Sequence, residues 1–173
     1  MICSKKRRIK SLAPTRISLF GGGSDTEPFA SRYGGACVNF AINIYQHVKL
    51  VQGDKNMWLH FPEWGDENFY RTFIEQVGSP SGSWTFTFDG KIHSGIGSSA
   101  SLGVAIVALS KRFYKKKNIS KLDIALEAWH IEVNKFGLFG GYQDQLAAAL
   151  GGFNLFEFGE KVKRHKINYH SSI

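Results

Sequence analysis

The placement of the glycines constrains this chain more than any other feature of its sequence. Nineteen glycines stand among 173 residues, where an average share of about 7% would give roughly a dozen. The informative ones are clustered. Gly21-Gly22-Gly23 closes a strand-like run and opens on Ser24-Asp25, and Gly95-Ile96-Gly97 leads through Ser98-Ser99-Ala100-Ser101 into a long helical pattern. Gly140-Gly141 precedes Tyr142-Gln143-Asp144. Glycines concentrated at the ends of regular elements mark backbone that must turn sharply or approach a ligand closely.

Between these clusters the pattern changes character along the chain. Arg8 to Leu12 and Arg16 to Phe20 read as short strands around Ala13-Pro14. Cys37 to Ile44 and His47 to Gln52 read as a hairpin pair, and Trp58 to Phe61 and Trp84 to Phe88 as further strands. Thr26 to Arg32 and Asn68 to Gln76 are modest helix candidates. From Ser99 to Tyr114, Leu102, Ile106, Leu109 and Phe113 recur at helical spacing, and Ser120 with Asp123 opens a second helix to about Asn134. Gln143 to Leu150 is a third helix closed by Gly151-Gly152, and Phe153 to Phe158 returns to strand. Strands early and helices late predict an α+β fold, and the length suits one domain.

Composition narrows the class. With 43% hydrophobic and 21% charged residues the chain is not of the disordered type. A formal charge of +8 makes anionic partners plausible without choosing among them. Much of it lies in Lys5 to Arg8, Lys111 to Lys117 and Lys161 to Lys166, runs expected to be solvated surface. The two cysteines, Cys3 and Cys37, offer neither a disulfide framework nor metal-ligand spacing. The basic N-terminus leads into no apolar signal region, and the longest apolar stretch, Leu102 to Leu109, is far short of a membrane span. The expected setting is cytoplasmic, with no membrane partner.

Each glycine cluster has a chemical and a plain structural reading. The segment from Gly95 to Ser101 suits a phosphate, through free N–H groups at a helix start and two hydroxyls, and it equally suits a serine-capped helix. It lacks the Gly-Lys-Ser/Thr ending of a P-loop. Asp25 sits where it could hold sugar hydroxyls, with Arg16 facing a phosphate, or where it closes an Asx-type turn. Glu132 and Asp144, on either side of the third cluster, could divide metal binding and proton acceptance, or be an exposed residue and a helix cap.

Taken together, Ala13-Pro-Thr-Arg-Ile-Ser-Leu-Phe-Gly-Gly-Gly-Ser-Asp25, Gly95-Ile-Gly-Ser-Ser-Ala-Ser101 and Gly140-Gly-Tyr-Gln-Asp-Gln145 resemble, in order and spacing, the GHMP kinase superfamily. That superfamily takes its name from galactokinase, homoserine kinase, mevalonate kinase and phosphomevalonate kinase. The resemblance runs from about Ala13 to Phe156 and is greatest to the branch acting on sugars, of the heptose 7-phosphate kinase type. It implies a fold like domain 2 of ribosomal protein S5, ATP and Mg²⁺ as cofactors, and transfer of the γ-phosphoryl group to a sugar or sugar-phosphate hydroxyl. By that similarity Gly95, Ile96, Gly97, Ser98, Ser99, Ala100 and Ser101 bind the nucleotide, Ser99 and Glu132 hold the metal, and Gly23, Ser24 and Asp25 bind substrate. Asp144 accepts or orients the hydroxyl proton, and Arg16 stabilises charge near the transferred group.

The sequence departs from the family in three places. Galactokinases carry Gly-Glu-His-Thr-Asp where this chain has Gly21 to Asp25, which points away from galactose. Lys91, Ile92 and His93 replace the prolines and glycine that usually begin the phosphate loop, and Lys91 and His93 are expected to be solvated rather than to touch nucleotide. Family members run to about twice this length, so the resemblance implies an N-terminal, ATP-binding domain without its C-terminal half, poorly active by itself. Two other readings remain: a relative that binds nucleotide or sugar without transfer, and an RNA-binding module of the S5 type. Asp25, Glu132 and Asp144 would repel RNA, so no nucleic-acid partner is expected.

Overall fold

The structure, a computed structural model, describes residues 6–53, 56–63, 65–78, 81–91, 94–115 and 119–168. Expectations that involve Cys3, Lys5, Ile92, His93, Lys116 and Lys117 lie outside the described residues. In chain order the elements are β1 (Arg8–Phe20), α1 (Phe29–Tyr33), β2 (Gly35–Gln52), β3 (Met57–His60), α2 (Glu67–Gln76), β4 (Gly82–Phe88), α3 (Ser98–Phe113), α4 (Lys121–Phe136), α5 (Gln143–Leu150), β5 (Phe153–Phe158) and β6 (Lys163–Lys166). The α+β class follows directly, with one mixed sheet carrying helices that arrive mainly in the second half of the chain.

The sheet is organised around β2. Its first half, Gly35 to Phe40, pairs with β5, and its second half, Gln46 to Gln52, pairs with β4. The opposite edge of β2 carries β1 from Arg8 to Phe20. These pairings are antiparallel, as is β5 with β6, whereas β3 joins β4 in parallel through the α2 crossover. The expected hairpin at Cys37 to Gln52 is therefore a single 18-residue strand. Tyr45-Gln46, between its two runs, is not a turn dipeptide, and β1 supplies a pairing partner on both sides of it. The two short strands expected around Ala13-Pro14 likewise merge into β1. Proline is tolerated there because an edge strand has no ladder hydrogen bond to lose on its outer side.

The register of β1 on β2 slips at this point: Pro14 faces Tyr45, but Thr15 faces Ile42. The Thr15 hydroxyl donates to the Ile44 carbonyl inside the irregularity, 3.0 Å away. Ile9 and Ala13 before the slip and Thr15 directly after it are turned inward, and Arg16 and Ser18 are then turned toward α5. A bulge re-aims the side chains that follow it. The two residues left without a β1 partner, Asn43 and Ile44, lie on β2, and opposite them the inward Thr15 is followed directly by Arg16, whose guanidinium is turned toward α5.

Helix α3 is apolar nearly all round, with Ala100 to Val107, Leu109 and Phe113 buried, and it lies against the sheet as the central element of the core. It packs with Val48, Leu50, Trp84 and Phe86 from the strands and Phe73 and Ile74 from α2. A second, smaller cluster of Ala30, Cys37, Ala125, Leu146, Phe156 and Phe158 seats α5 against β5. The reciprocal Ser120–Asp123 capping box starts α4, and Gly137, in the left-handed region at φ 62°, ends it two residues later than expected. The run from Lys161 to Lys166, expected only as solvated surface, contributes the exposed edge strand β6. Its charges discourage further strand pairing.

Gly103, near the middle of α3, leaves room for the Phe73 ring of α2. A methyl group there would stand 2.7 Å from Cζ of the buried Phe73 ring. Alanine is the better helix former by about 1 kcal/mol, but overpacking costs about 1–3 kcal/mol. We therefore expect Gly103→Ala to lower the urea midpoint at unchanged m-value. A raised midpoint would show that the ring moves aside freely.

Candidate functional site

Three consecutive residues in the first turn of α5 reach three separate parts of the fold. The Gln143 backbone N–H donates to Oδ2 of Asp25 at 2.9 Å, and its side-chain oxygen accepts from the Ser18 hydroxyl at 2.9 Å. Asp144 meets Arg16, whose Nε and Nη2 each donate to one carboxylate oxygen at 2.7 Å. Gln145 donates from Nε2 to Oε2 of Glu132, also at 2.7 Å. Alternating directions over three residues follow from the helical turn itself, about 100° per residue. One turn of helix thus gathers β1, the glycine loop after it, α4 and the start of α3.

The loop before α3 completes the arrangement. Gly97 is the N-cap of α3 in a left-handed conformation (φ 74°), and among the described residues no side chain caps the helix. The first N–H groups of α3 are thus free of side-chain acceptors, the positive end of its dipole faces the loop, and an anion would be favoured there. Arg16 holds the loop from below. Its backbone N–H donates to Ile96 O at 3.0 Å and Nη1 to Gly95 O at 2.8 Å. A Cβ on Gly97 would stand 3.0 Å from Oδ2 of Asp144. The loop and the Asp144 carboxylate are therefore in near contact.

Ser99 and Glu132 form the second feature of the site. The Ser99 hydroxyl donates to Oε1 of Glu132 at 2.9 Å, so the carboxylate has a donor on each oxygen. Glu132 is only 7% exposed. Burial pushes its carboxyl above the usual range, while the hydrogen bonds from Ser99 and Gln145 act in the opposite direction. The idea of Glu132 as an exposed residue is excluded, and so is the idea of Asp144 as a mere cap.

Asp25 is placed differently from a surface ligand. It is 1% exposed, and its Oδ1 accepts from the Gly23 N–H at 3.0 Å while Oδ2 accepts from Gln143. Its carbonyl also accepts from the Tyr142 N–H. The absent side chain of Gly141 makes room for it, since a Cβ there would lie 1.9 Å from Oδ2. The carboxylate therefore fastens the Gly21–Asp25 loop to the start of α5. Ser24 is engaged as well, donating to Gly21 O and accepting from the Ala36 N–H, whereas Gly23 is exposed.

The remaining expected residues divide by burial. Gly95 and Ser99 are exposed, with Ile96, Gly97 and Ser98 half-buried beside them. Ala100 and Ser101 face the core, and the Ser101 hydroxyl donates to Pro14 O at 2.7 Å, pinning α3 to β1. Their side chains belong to the frame of the loop. Lys91 is exposed, as expected, with its carbonyl accepting from the Ser94 hydroxyl. From the sequence Gly141 stood out only as part of a glycine cluster, and Gln143, Gln145 and Ser18 were assigned no role of their own. The flanking of Asp144 by two glutamines at a helix start is the one local signal that could have flagged two of them.

Two outcomes follow. Asp25→Asn removes one of two acceptors facing backbone N–H groups, and hydrogen bonds to a charged group are worth about 1.5–3 kcal/mol. We expect a loss of stability of that order in urea unfolding; an unchanged midpoint would mean that the loop does not depend on the carboxylate. Burial first, and the neighbouring Asp25 charge second, push the Cys37 thiol up to about 12. Peptide-mapped alkylation at pH 8 should therefore leave Cys37 unmodified in the native protein and label it once unfolded. Labelling of the native protein at the rate of a free thiol would contradict that environment.

A family model of the GHMP kinases N terminal domain matches residues 67–152, a stretch that contains the α3 loop, Glu132 and Asp144 but not Arg16 or Asp25. The D-glycero-alpha-D-manno-heptose 7-phosphate kinase of Campylobacter jejuni is 27% identical over 88% of this chain and 51% of its own length. The chain thus spans about half of that relative. The crystal structure of a D-glycero-D-manno-heptose 1-phosphate kinase from Bacteriodes thetaiotaomicron superposes with a TM-score of 0.82 at 26% identity, covering 93% of this chain and 60% of that one. The mevalonate kinase of Methanococcus jannaschii, at 17% identity and a TM-score of 0.71 over 96% of this chain and 57% of that one, shares the fold. Matched over residues 67–152 by the family model, and built on the same sheet and helices as these kinases, the chain carries the fold of the GHMP kinase N-terminal domain.

Proposed function

We propose that this chain is the ATP-binding part of a sugar kinase that transfers the γ-phosphoryl group of ATP to a hydroxyl of a sugar phosphate, a heptose phosphate being the substrate class. The observation that carries the reading is the meeting of an uncapped α3 N-terminus, the Arg16–Asp144 pair and the Ser99–Glu132 pair around one turn of α5. The chain's similarity to two heptose phosphate kinases, one named for the 7-phosphate and one for the 1-phosphate, supports the substrate class. The 51% coverage of the longer relative supports a two-part enzyme, with activity belonging to the whole protein. A cytoplasmic setting, where ATP is supplied, is part of the same reading.

Phosphoryl transfer asks for an in-line hydroxyl and neutralised charge, with little covalent work from the protein. In this reading the N–H groups at Ser98, Ser99 and Ala100 receive phosphate oxygens. Arg16, already anchored to Gly95 and Asp144, places a fixed positive charge beside them. Asp144, whose side chain is 26% exposed, presents the carboxylate that orients the acceptor hydroxyl and takes its proton. The Gly21–Asp25 loop forms the sugar side, with exposed Gly23 at its surface and Asp25 setting its shape.

The Ser99 hydroxyl and Glu132 carboxylate fit Mg²⁺. Both are hard oxygen donors within 2.9 Å of each other, and Mg²⁺ characteristically takes one or two protein ligands and completes its shell from phosphates and water. When bound, the ion would neutralise charge on the phosphates. The test is coupled ADP release by the whole protein over a panel of sugars and sugar phosphates. Asp144→Asn should lower turnover about 10²–10⁴-fold, the usual worth of a positioned acid or base, with nucleotide affinity nearly unchanged. Unaltered turnover would remove Asp144 from that role, and an absence of transfer to every sugar phosphate would remove the substrate class.

A further inference from the structure

The side chain of Gln145 is unusual in what it gives up. It is 3% exposed, its Nε2 donates to Oε2 of Glu132 at 2.7 Å, and its Oε1 is buried without a hydrogen-bond partner among the described residues. An orphaned buried carbonyl is costly. Turning the amide over would not relieve it, because the oxygen would then face the carboxylate and the donor would point away. The glutamine is held in the one orientation that serves an ionised Glu132, at the expense of its other end.

We propose that Gln145 is a positioning residue for a divalent cation at Ser99 and Glu132, an inference that rests on the kinase reading above. Ser99 fixes one oxygen of Glu132 and Gln145 the other, so the carboxylate is restrained at both ends before any ion arrives. Its neighbour Asp144 is fixed by Arg16 in the same turn of α5. Through these two adjacent residues a single rigid turn sets the metal carboxylate and the acceptor-side carboxylate relative to each other. Partners that orient a ligating group typically change metal affinity about 10–100-fold when removed. A glutamine present only to fill and satisfy the core would change stability and leave metal affinity alone.

The experiment titrates Mn²⁺ into the whole protein saturated with a non-hydrolysable ATP analogue and follows the bound ion by electron paramagnetic resonance. Gln145→Met keeps the volume and removes the amide, and Gln145→Asn keeps the amide but withdraws it by one methylene. The expected result is Mn²⁺ half-saturation shifted about 10–100-fold upward, with affinity for the metal-free analogue unchanged. Gln145→Asn decides the matter if Gln145→Met fails to fold. Wild-type Mn²⁺ affinity in a folded variant overturns this inference alone. A wild-type protein that binds no Mn²⁺ beside the analogue overturns the kinase reading and this inference with it.

Discussion

The two-pronged hydrogen bond between Arg16 and Asp144 is the interaction on which the site depends. Both N–H donors lie 2.7 Å from their acceptors, and the side chains are 12% and 26% exposed, so neither charge is fully hydrated. A pair of this kind contributes little net stability against two apolar groups, but loss of either partner leaves an uncompensated, partly buried charge. Its larger effect is geometric. The planar guanidinium can satisfy Asp144 and Gly95 together only if β1, the loop before α3 and the start of α5 are all in place.

That requirement explains the irregularity in β1. A regular strand with Ala13 and Thr15 turned inward would send Arg16 to the opposite face of the sheet. Just past the register slip Thr15 and Arg16 both turn inward, so the alternation is reversed from Arg16 onward, and Ser18 then follows Arg16 toward α5. The sheet loses regular pairing at two points along an edge strand, this one and another between Ser18 and Phe20, where the loss is cheapest. What it gains is a cation on the side where the helix dipoles and carboxylates meet.

The same economy appears in the three acidic residues. Asp25, Glu132 and Asp144 would repel one another if left unpartnered in so small a region. Each is instead given its own donors: backbone N–H groups for Asp25, a hydroxyl and an amide for Glu132, and a guanidinium for Asp144. Asp144 is the most open of them and Asp25 the most enclosed. This gradient separates the carboxylate that frames a loop from the one available to a substrate.

Most of the elements were legible in the sequence because local rules govern them. The Ser120–Asp123 box, the apolar spacing of α3 and the glycines after α5 each mark an end or a face without reference to distant residues. The candidate site was legible as three motifs, through their composition and their likeness to a kinase family. Other features could not be read locally. The continuity of β2 depends on β1 as a partner, and the inward turn of Arg16 depends on a register slip. The burial of Asp25 depends on Gly141, 116 positions away in the chain, leaving space for its carboxylate. By itself the sequence determined which residues could carry charge, turn the chain or start a helix, since those are properties of side chains and near neighbours. Only the tertiary structure decided which carboxylate is enclosed, which is open and which donor each one meets, because those outcomes are set by contacts between segments far apart in the chain.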